Sequence, residues 1–321
     1  MGLTHFPHGV SSFGQTLYGG EAPVMGKSYH VRKTTDANYD EWKAAVNHRH
    51  YDGTMSVQTT IEGALDLADD YDTIWVYPGQ WKPLKTLAIT QKSLRLLAVQ
   101  TGPFAGQTGT EIRQWGNVAC DIITVNGGAA SPGPAGASNV EIAGFRFTPY
   151  GGTYTAISVG TTINTYGVYI HDNYFMAAAQ LGSMLLLGTA GGYNADSIHI
   201  CNNYFKKGGG AGDQSTLAAI VINYALNFLF MDNHCEQVGS GQYFIYCNST
   251  DKTAGKFIHN TFFASETGAK AIRTGTLGVG DFYFSENRGV NYADSYLFDD
   301  SGIEGMGYNT YGPTAEAADA A

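Results

Sequence analysis

The side chains of this chain able to do acid–base or metal chemistry are carboxylates and imidazoles scattered along its second half. His171, His199, His234 and His259 recur there, interleaved with Asp172, Asp196, Asp213, Asp232, Asp251 and Asp281. Two carboxylates about 5 to 10 Å apart are the main requirement for glycoside hydrolysis. Glu111, Asp121, Glu141, Glu236, Glu266 and Glu286 could also contribute to such a pair. A metal would need ligands converging at about 2 Å, which strand residues of alternating direction do not readily supply. Asp172 and Asp232 share one repeat position, but neutral Asn202 occupies it in between, so the two are too far apart for one ion. Asp299-Asp300, beside Ser301-Gly302, reads as a solvated turn. The histidines read as turn or solvent-facing residues. The expectation is a chain with no catalytic residue, no cofactor and no metal, and not an enzyme.

The elements that carry these residues repeat. Val168-Tyr169-Ile170-His171-Asp172-Asn173-Tyr174-Phe175 returns as Ser197 to Phe205, Phe228 to Cys235 and Phe257 to Phe263, with a weaker copy in Phe282 to Asn287. The aligned asparagines Asn173, Asn203, Asn233, Asn260 and Asn287 stand 30, 30, 27 and 27 residues apart. A period in this range marks a solenoid, in which each repeat buries its apolar face by stacking on its neighbours. Within each repeat apolar and polar residues alternate, as in Val168 and Ile170, and Gly-rich turns separate further apolar runs. Several short strands per repeat describe one coil of a parallel β-helix. The recurrent asparagines then form a structural ladder: each carboxamide bonds to backbone and to the next coil, at a bend where Asn tolerates left-handed geometry.

On these residues the chain resembles the right-handed parallel β-helix, or pectin-lyase-like, superfamily, from about Val57 to Gly307. Asn139-Val140-Glu141-Ile142-Ala143-Gly144-Phe145-Arg146-Phe147 looks like a further coil of that family. In Thr59 to Ala68, Ile61, Ala64, Leu65 and Ala68 share one helical face, the pattern of a short N-terminal helix capping the first coil. Thr73 to Trp81 and Ser93 to Val99 resemble the opening coils. About nine coils at roughly 4.8 Å each give a rod of order 40 Å. The family's lyases use a calcium-binding carboxylate cluster, and its hydrolases paired Asp with Gly-His-Gly and Arg-Ile-Lys segments. None of these patterns stands out here.

The ends differ. Residues 1–50 lack the repeat and are expected to form an extended attachment arm, followed by the β-helix at 51–307 and a flexible acidic tail at 308–321. Thr4-His5-Phe6-Pro7-His8-Gly9-Val10-Ser11-Ser12-Phe13-Gly14 is similar to the N-terminal stretch of tailed-phage head-associated virion proteins. That resemblance implies docking on a capsid, with Phe6, Pro7, Phe13, Tyr18 and Tyr29 as attachment residues and the major capsid protein as partner. The formal charge of −10 offers no phosphate-neutralising patch, so nucleic acid is not expected as a partner. No apolar run reaches membrane-spanning length and no signal peptide is evident, which points to synthesis in a host cytoplasm and residence on the virion. Cys120, Cys201, Cys235 and Cys247 lack metal or redox spacing and read as core thiols. With 21 Tyr and 14% charged residues, the rod's sides suit packing of copies or contact with a host glycan. The function expected is therefore a homotrimeric capsid decoration, or cement, spike. The alternatives are a tailspike depolymerase and a glycan-binding spike.

Overall fold

A computed structural model describes residues 10–12, 15–18, 26–99, 109–114, 120–126, 137–148, 154–177, 183–189, 192–207, 218–237, 243–247, 254–264, 270–274, 282–290, 298–299, 303–306 and 310–312. Three long sheets of eleven, nine and eight strands run along it, with a three-stranded sheet at a fourth position. One coil shows the plan. Tyr169–His171 lies in the eleven-stranded central sheet, Tyr174–Ala177 in the nine-stranded sheet, Leu185–Leu187 in the eight-stranded sheet and Ala195–Asp196 in the short one. Each strand then pairs in parallel with its equivalent in the next coil, as Tyr169↔His199, Phe175↔Phe205 and Leu185↔Ile220 show. This is a parallel β-helix.

The interior follows from strand alternation, because every second side chain points inward. Inward positions repeat in register, so like stacks on like. Phe147, Phe175 and Phe205 are fully buried, with ring centroids 5.0 and 4.7 Å apart and planes within 18°. Phe257 and Phe284 stack at 4.9 Å further along. Each such ring contributes about 1.5–3 kcal/mol by burial alone.

The bend between the central and nine-stranded sheets is held by the asparagines. Asn203 N–H donates to Asn233 Oδ1 (3.0 Å), and Asn203 Nδ2 donates both to that oxygen (3.1 Å) and to Ile170 O (2.9 Å). Asn173, Asn233 and Asn260 repeat the pattern, and Asn287 Nδ2 closes it on Phe257 O. At the N-terminal end of the ladder Phe145, which has no carboxamide, still gives its N–H to Asn173 Oδ1 at 3.0 Å. The left-handed backbone expected at these asparagines sits one residue earlier: Asp172, Asn202, Asp232, His259 and Glu286 all have φ of 54–55°. The chain turns there, and the following Asn points inward to satisfy the backbone that the turn leaves unpaired.

The first coil is closed by the helix Ile61–Leu67, with Thr60 as N-cap accepting from Gly63 N–H and Ile61, Ala64 and Leu65 buried. The body, however, begins well before residue 51. Ser28–Val31 is a strand of the central sheet, paired with Thr73–Val76 and with Val57–Gln58, and Tyr39–Val46 is a helix. Trp42 of that helix meets Tyr77 edge-on at 4.8 Å, and Arg32 lies 5.0 Å from the Trp42 ring. At the other end, Thr310–Gly312 pairs with Arg288–Val290, so the last coil runs past residue 307.

Candidate functional site

The outward positions of the central sheet bring together side chains that lie far apart in sequence. Arg95, Glu141, Tyr169 and His199 stand in one row, and Ala143, His171 and Cys201 in the next. The His171 imidazole is clasped between two carboxylates. Its Nε2 lies 3.0 Å from Glu141 Oε1 and its Nδ1 lies 2.7 Å from Asp172 Oδ2. Ionised carboxylates only accept, so this geometry favours the protonated ring, in which both nitrogens donate. Arg95 Nε donates to the second Glu141 oxygen at 2.5 Å.

Burial alone would push the Glu141 carboxyl up. The hydrogen bonds from His171 and Arg95, together with their charges, outweigh it and bring the carboxyl down to about 2. Burial would likewise push His171 down, but the bonds to Glu141 and Asp172 raise it. The Tyr169 ring lies over His171, with centroids 4.1 Å apart, meets His199 edge-on at 6.2 Å, and is partly exposed.

Past the bend, the outward row of the nine-stranded sheet runs Glu111, Arg146, Tyr174, Tyr204, His234. Glu111 accepts from Gln80 Nε2 and Thr148 Oγ1, both at 2.8 Å, and faces Arg146 Nε at 3.9 Å. Arg146 lies over the Tyr174 ring at 5.8 Å. The Tyr174, Tyr204 and His234 rings stack at 5.0 and 4.7 Å, nearly parallel. Glu236 accepts from the Tyr204 hydroxyl and pairs with Lys206 Nζ at 2.8 Å. Burial holds His234 below its ordinary value, so a neutral imidazole completes the stack.

One patch thus wraps the bend, offering a partly exposed tyrosine, fixed carboxylates and guanidinium donors. Apolar ring faces there stand beside polar groups fixed by hydrogen bonds. His171 sits between Glu141 and Asp172 and bonds to both.

Neither Glu141 nor Asp172 was singled out with His171 by spacing. They occupy different positions in the repeat, one on a strand and one on a turn, and only the coil geometry brings successive repeats together. A similar line forms at Asp232, His259 and Glu286, with His259 Nε2 2.5 Å from Glu286 and Nδ1 3.7 Å from Asp232. Asp299 lies in the strand Phe298–Asp299, while Asp300 is outside the described residues. Among the described residues no set of three His, Cys, Asp or Glu side chains forms a metal site, and no helix is long and apolar enough to cross a membrane. The four cysteines are free thiols.

Of the expected attachment residues, Phe6, Pro7 and Phe13 lie outside the described residues. Tyr18 ends the strand Gln15–Tyr18, which pairs antiparallel with Val10–Ser12. Tyr29 does not belong with them. It is fully buried under the capping helix, with its hydroxyl donating to Leu67 O at 2.9 Å, and is a core residue.

No family model and no curated protein matches the chain. Among solved structures, a pectin methylesterase variant in complex with a hexasaccharide aligns at a TM-score of 0.49 and 13% identity, over 87% of this chain and 81% of that one. An alginate lyase from Paenibacillus sp. str. FPU-7 aligns at 0.32 and 13%, over 76% and 95%. ORF18 of Geobacillus virus E2 aligns at 0.41 and 10%, over 78% of this chain, which spans 57% of that protein's length. The expectation of a chain that is not an enzyme is corrected here. The structures it is similar to include a methylesterase and a lyase. At 10–13% identity the likeness concerns the fold and transfers none of those reactions. By its own topology the chain has a parallel β-helix fold.

Proposed function

We propose that the chain is a virion spike of a tailed phage whose β-helix meets a surface polysaccharide with the side that carries Tyr169, His171 and Arg146. The observation that carries this reading is the patch itself. A partly exposed tyrosine lies over an imidazole fixed by two carboxylates, and an arginine and a three-ring stack continue it around the bend. A sugar ring packs on the tyrosine while its hydroxyls bond to the fixed charges.

The finer assignment is decoration of the head, with the major capsid protein as partner. It is supported by the Thr4 to Gly14 stretch, which precedes a body that begins near Lys27. Phe6, Pro7, Phe13 and Tyr18 are the proposed anchors, and three copies standing together would combine weak attachments through effective concentration.

Titration of host surface polysaccharide into the full chain, followed by calorimetry and by release of reducing ends, tests the reading. Binding that falls at least about tenfold in Tyr169→Ala, the loss expected for one stacking residue of about 1.4 kcal/mol, supports it. Binding unchanged in both Tyr169→Ala and Arg146→Ala refutes the placement, and no binding to any host envelope fraction refutes the glycan reading.

A further inference from the structure

The junction where the N-terminal stretch joins the rod contains three histidines that the polysaccharide patch does not use. His30 lies on the strand Ser28–Val31, and His48 and His50 follow the helix Tyr39–Val46. The His48 and His50 rings meet edge-on at 4.8 Å, and the His50 ring packs on Tyr29 at 5.1 Å. The three strands of chain are wired together by backbone: His30 N–H donates to Ser56 O at 2.7 Å, and Ser56 N–H donates to His48 O at 2.9 Å.

Two ring nitrogens, His30 Nδ1 and His50 Nε2, are buried with no hydrogen-bond partner. A buried nitrogen without a donor aimed at it is tolerable as a neutral lone pair. Once protonated it becomes an unpaired buried cation. The groups facing these rings offer little relief. His30 faces His48 and His50, with the Tyr77 ring at 6.1 Å. His50 faces His48, Lys27 and Asp52, and also has a hydrogen bond to the Ser28 backbone, which favours its protonated form but is outweighed by burial. Asp52 is the one carboxylate among them and is already committed, with Oδ2 on Lys27 Nζ at 2.7 Å and Oδ1 accepting from Thr54 N–H and Oγ1.

We propose that His30 and His50 make this junction an acid-sensitive latch. Below neutral pH their protonation loosens the Ser28–Val31 strand and the 48–56 segment while the rest of the rod stays folded. Burial, with the neighbouring imidazoles, holds His30 and His50 below their ordinary value of 6.5. The sign follows. A histidine depressed in the folded state favours folding when neutral, so its contribution is complete above about pH 6.5 and declines as pH falls below that value. The latch is independent of what the spike binds.

Hydrogen exchange of the full chain at pH 7.5 and 5.5, corrected for intrinsic rates, tests it. Peptides covering 27–58 should lose at least about tenfold protection at pH 5.5, while peptides covering 168–205 keep theirs. The variant His30→Gln/His50→Gln should show no such loss. Equal protection of 27–58 at both pH values overturns the proposal, as does an undiminished loss in the variant. If the variant does not fold, NMR titration of the wild-type imidazoles decides: His30 and His50 titrating at or above 6.5 overturn it, and titration below 6.5 supports it.

Discussion

Replacing Asn233 by Ala removes the middle rung of the ladder, and the loss can be worked out bond by bond. The side chain is almost fully buried and donates to Ile200 O at 2.7 Å and to Asn260 Oδ1 at 3.2 Å. Its own oxygen accepts from Asn203 N–H at 3.0 Å and Asn203 Nδ2 at 3.1 Å. After truncation, Asn203 Nδ2 still reaches Ile170 O and Cys201 O, and Asn260 Oδ1 still accepts from Asn233 N–H. The Ile200 carbonyl and the Asn203 amide lose the bonds described for them, deep in the rod. Leaving a buried backbone group unpaired costs about 1–3 kcal/mol, so two cost about 4 kcal/mol together. With a urea slope of about 3 kcal/mol/M or more for a chain of this size, the midpoint should fall by about 1 M. Far-UV circular dichroism during urea titration measures this, with the exposed Lys256→Ala as control within about 0.5 kcal/mol. A fall of less than about 0.3 M would mean that the ladder contributes little and that the coils are held by aromatic stacking.

Three further outcomes follow from the geometry. His171→Gln should cost about 1.5 kcal/mol near pH 5.5 and little at pH 9, read as the difference in urea stability from wild type. Raised His171 contributes fully below 6.5 and fades as pH climbs through its folded value, while Glu141, lowered to about 2, contributes above 4.5. A cost that grows towards pH 9 would contradict that sign. Gly255→Ala should destabilise by about 2 kcal/mol in a thermal melt, because the new Cβ would lie 2.3 Å from the buried Phe228 ring. Thr60→Ala should cost about 1 kcal/mol through loss of the cap on Gly63 N–H, and hydrogen exchange should report it in the helix Ile61–Leu67.

The coil was readable in the sequence because like residues stack in register. Asn at a fixed interval, Phe175 above Phe205, and the Ile61, Ala64, Leu65 face of the capping helix are local patterns with one structural solution. The junction was less legible. Ser28–Val31 is a four-residue strand whose partners, Val57–Gln58 and Thr73–Val76, lie beyond an intervening helix, so no local period betrays it. Tyr29 therefore looked like part of an arm when it is part of the core. The His171 clasp was hidden for a different reason. Glu141 precedes His171 by 30 residues, while Asp172 adjoins it on a turn, and alternation along one strand predicts neither contact. Glu141 and His171 meet diagonally across neighbouring strands of one sheet, so the contact depends on the register between coils.

A cryo-EM map of the intact particle would show whether this chain is a phage spike attached by its N-terminal stretch. β-helix density should stand in threefold groups on the head, with residues 1–26 running across neighbouring capsid subunits. Density at the tail, or coils whose N-terminal stretch touches no capsid subunit, would contradict that placement.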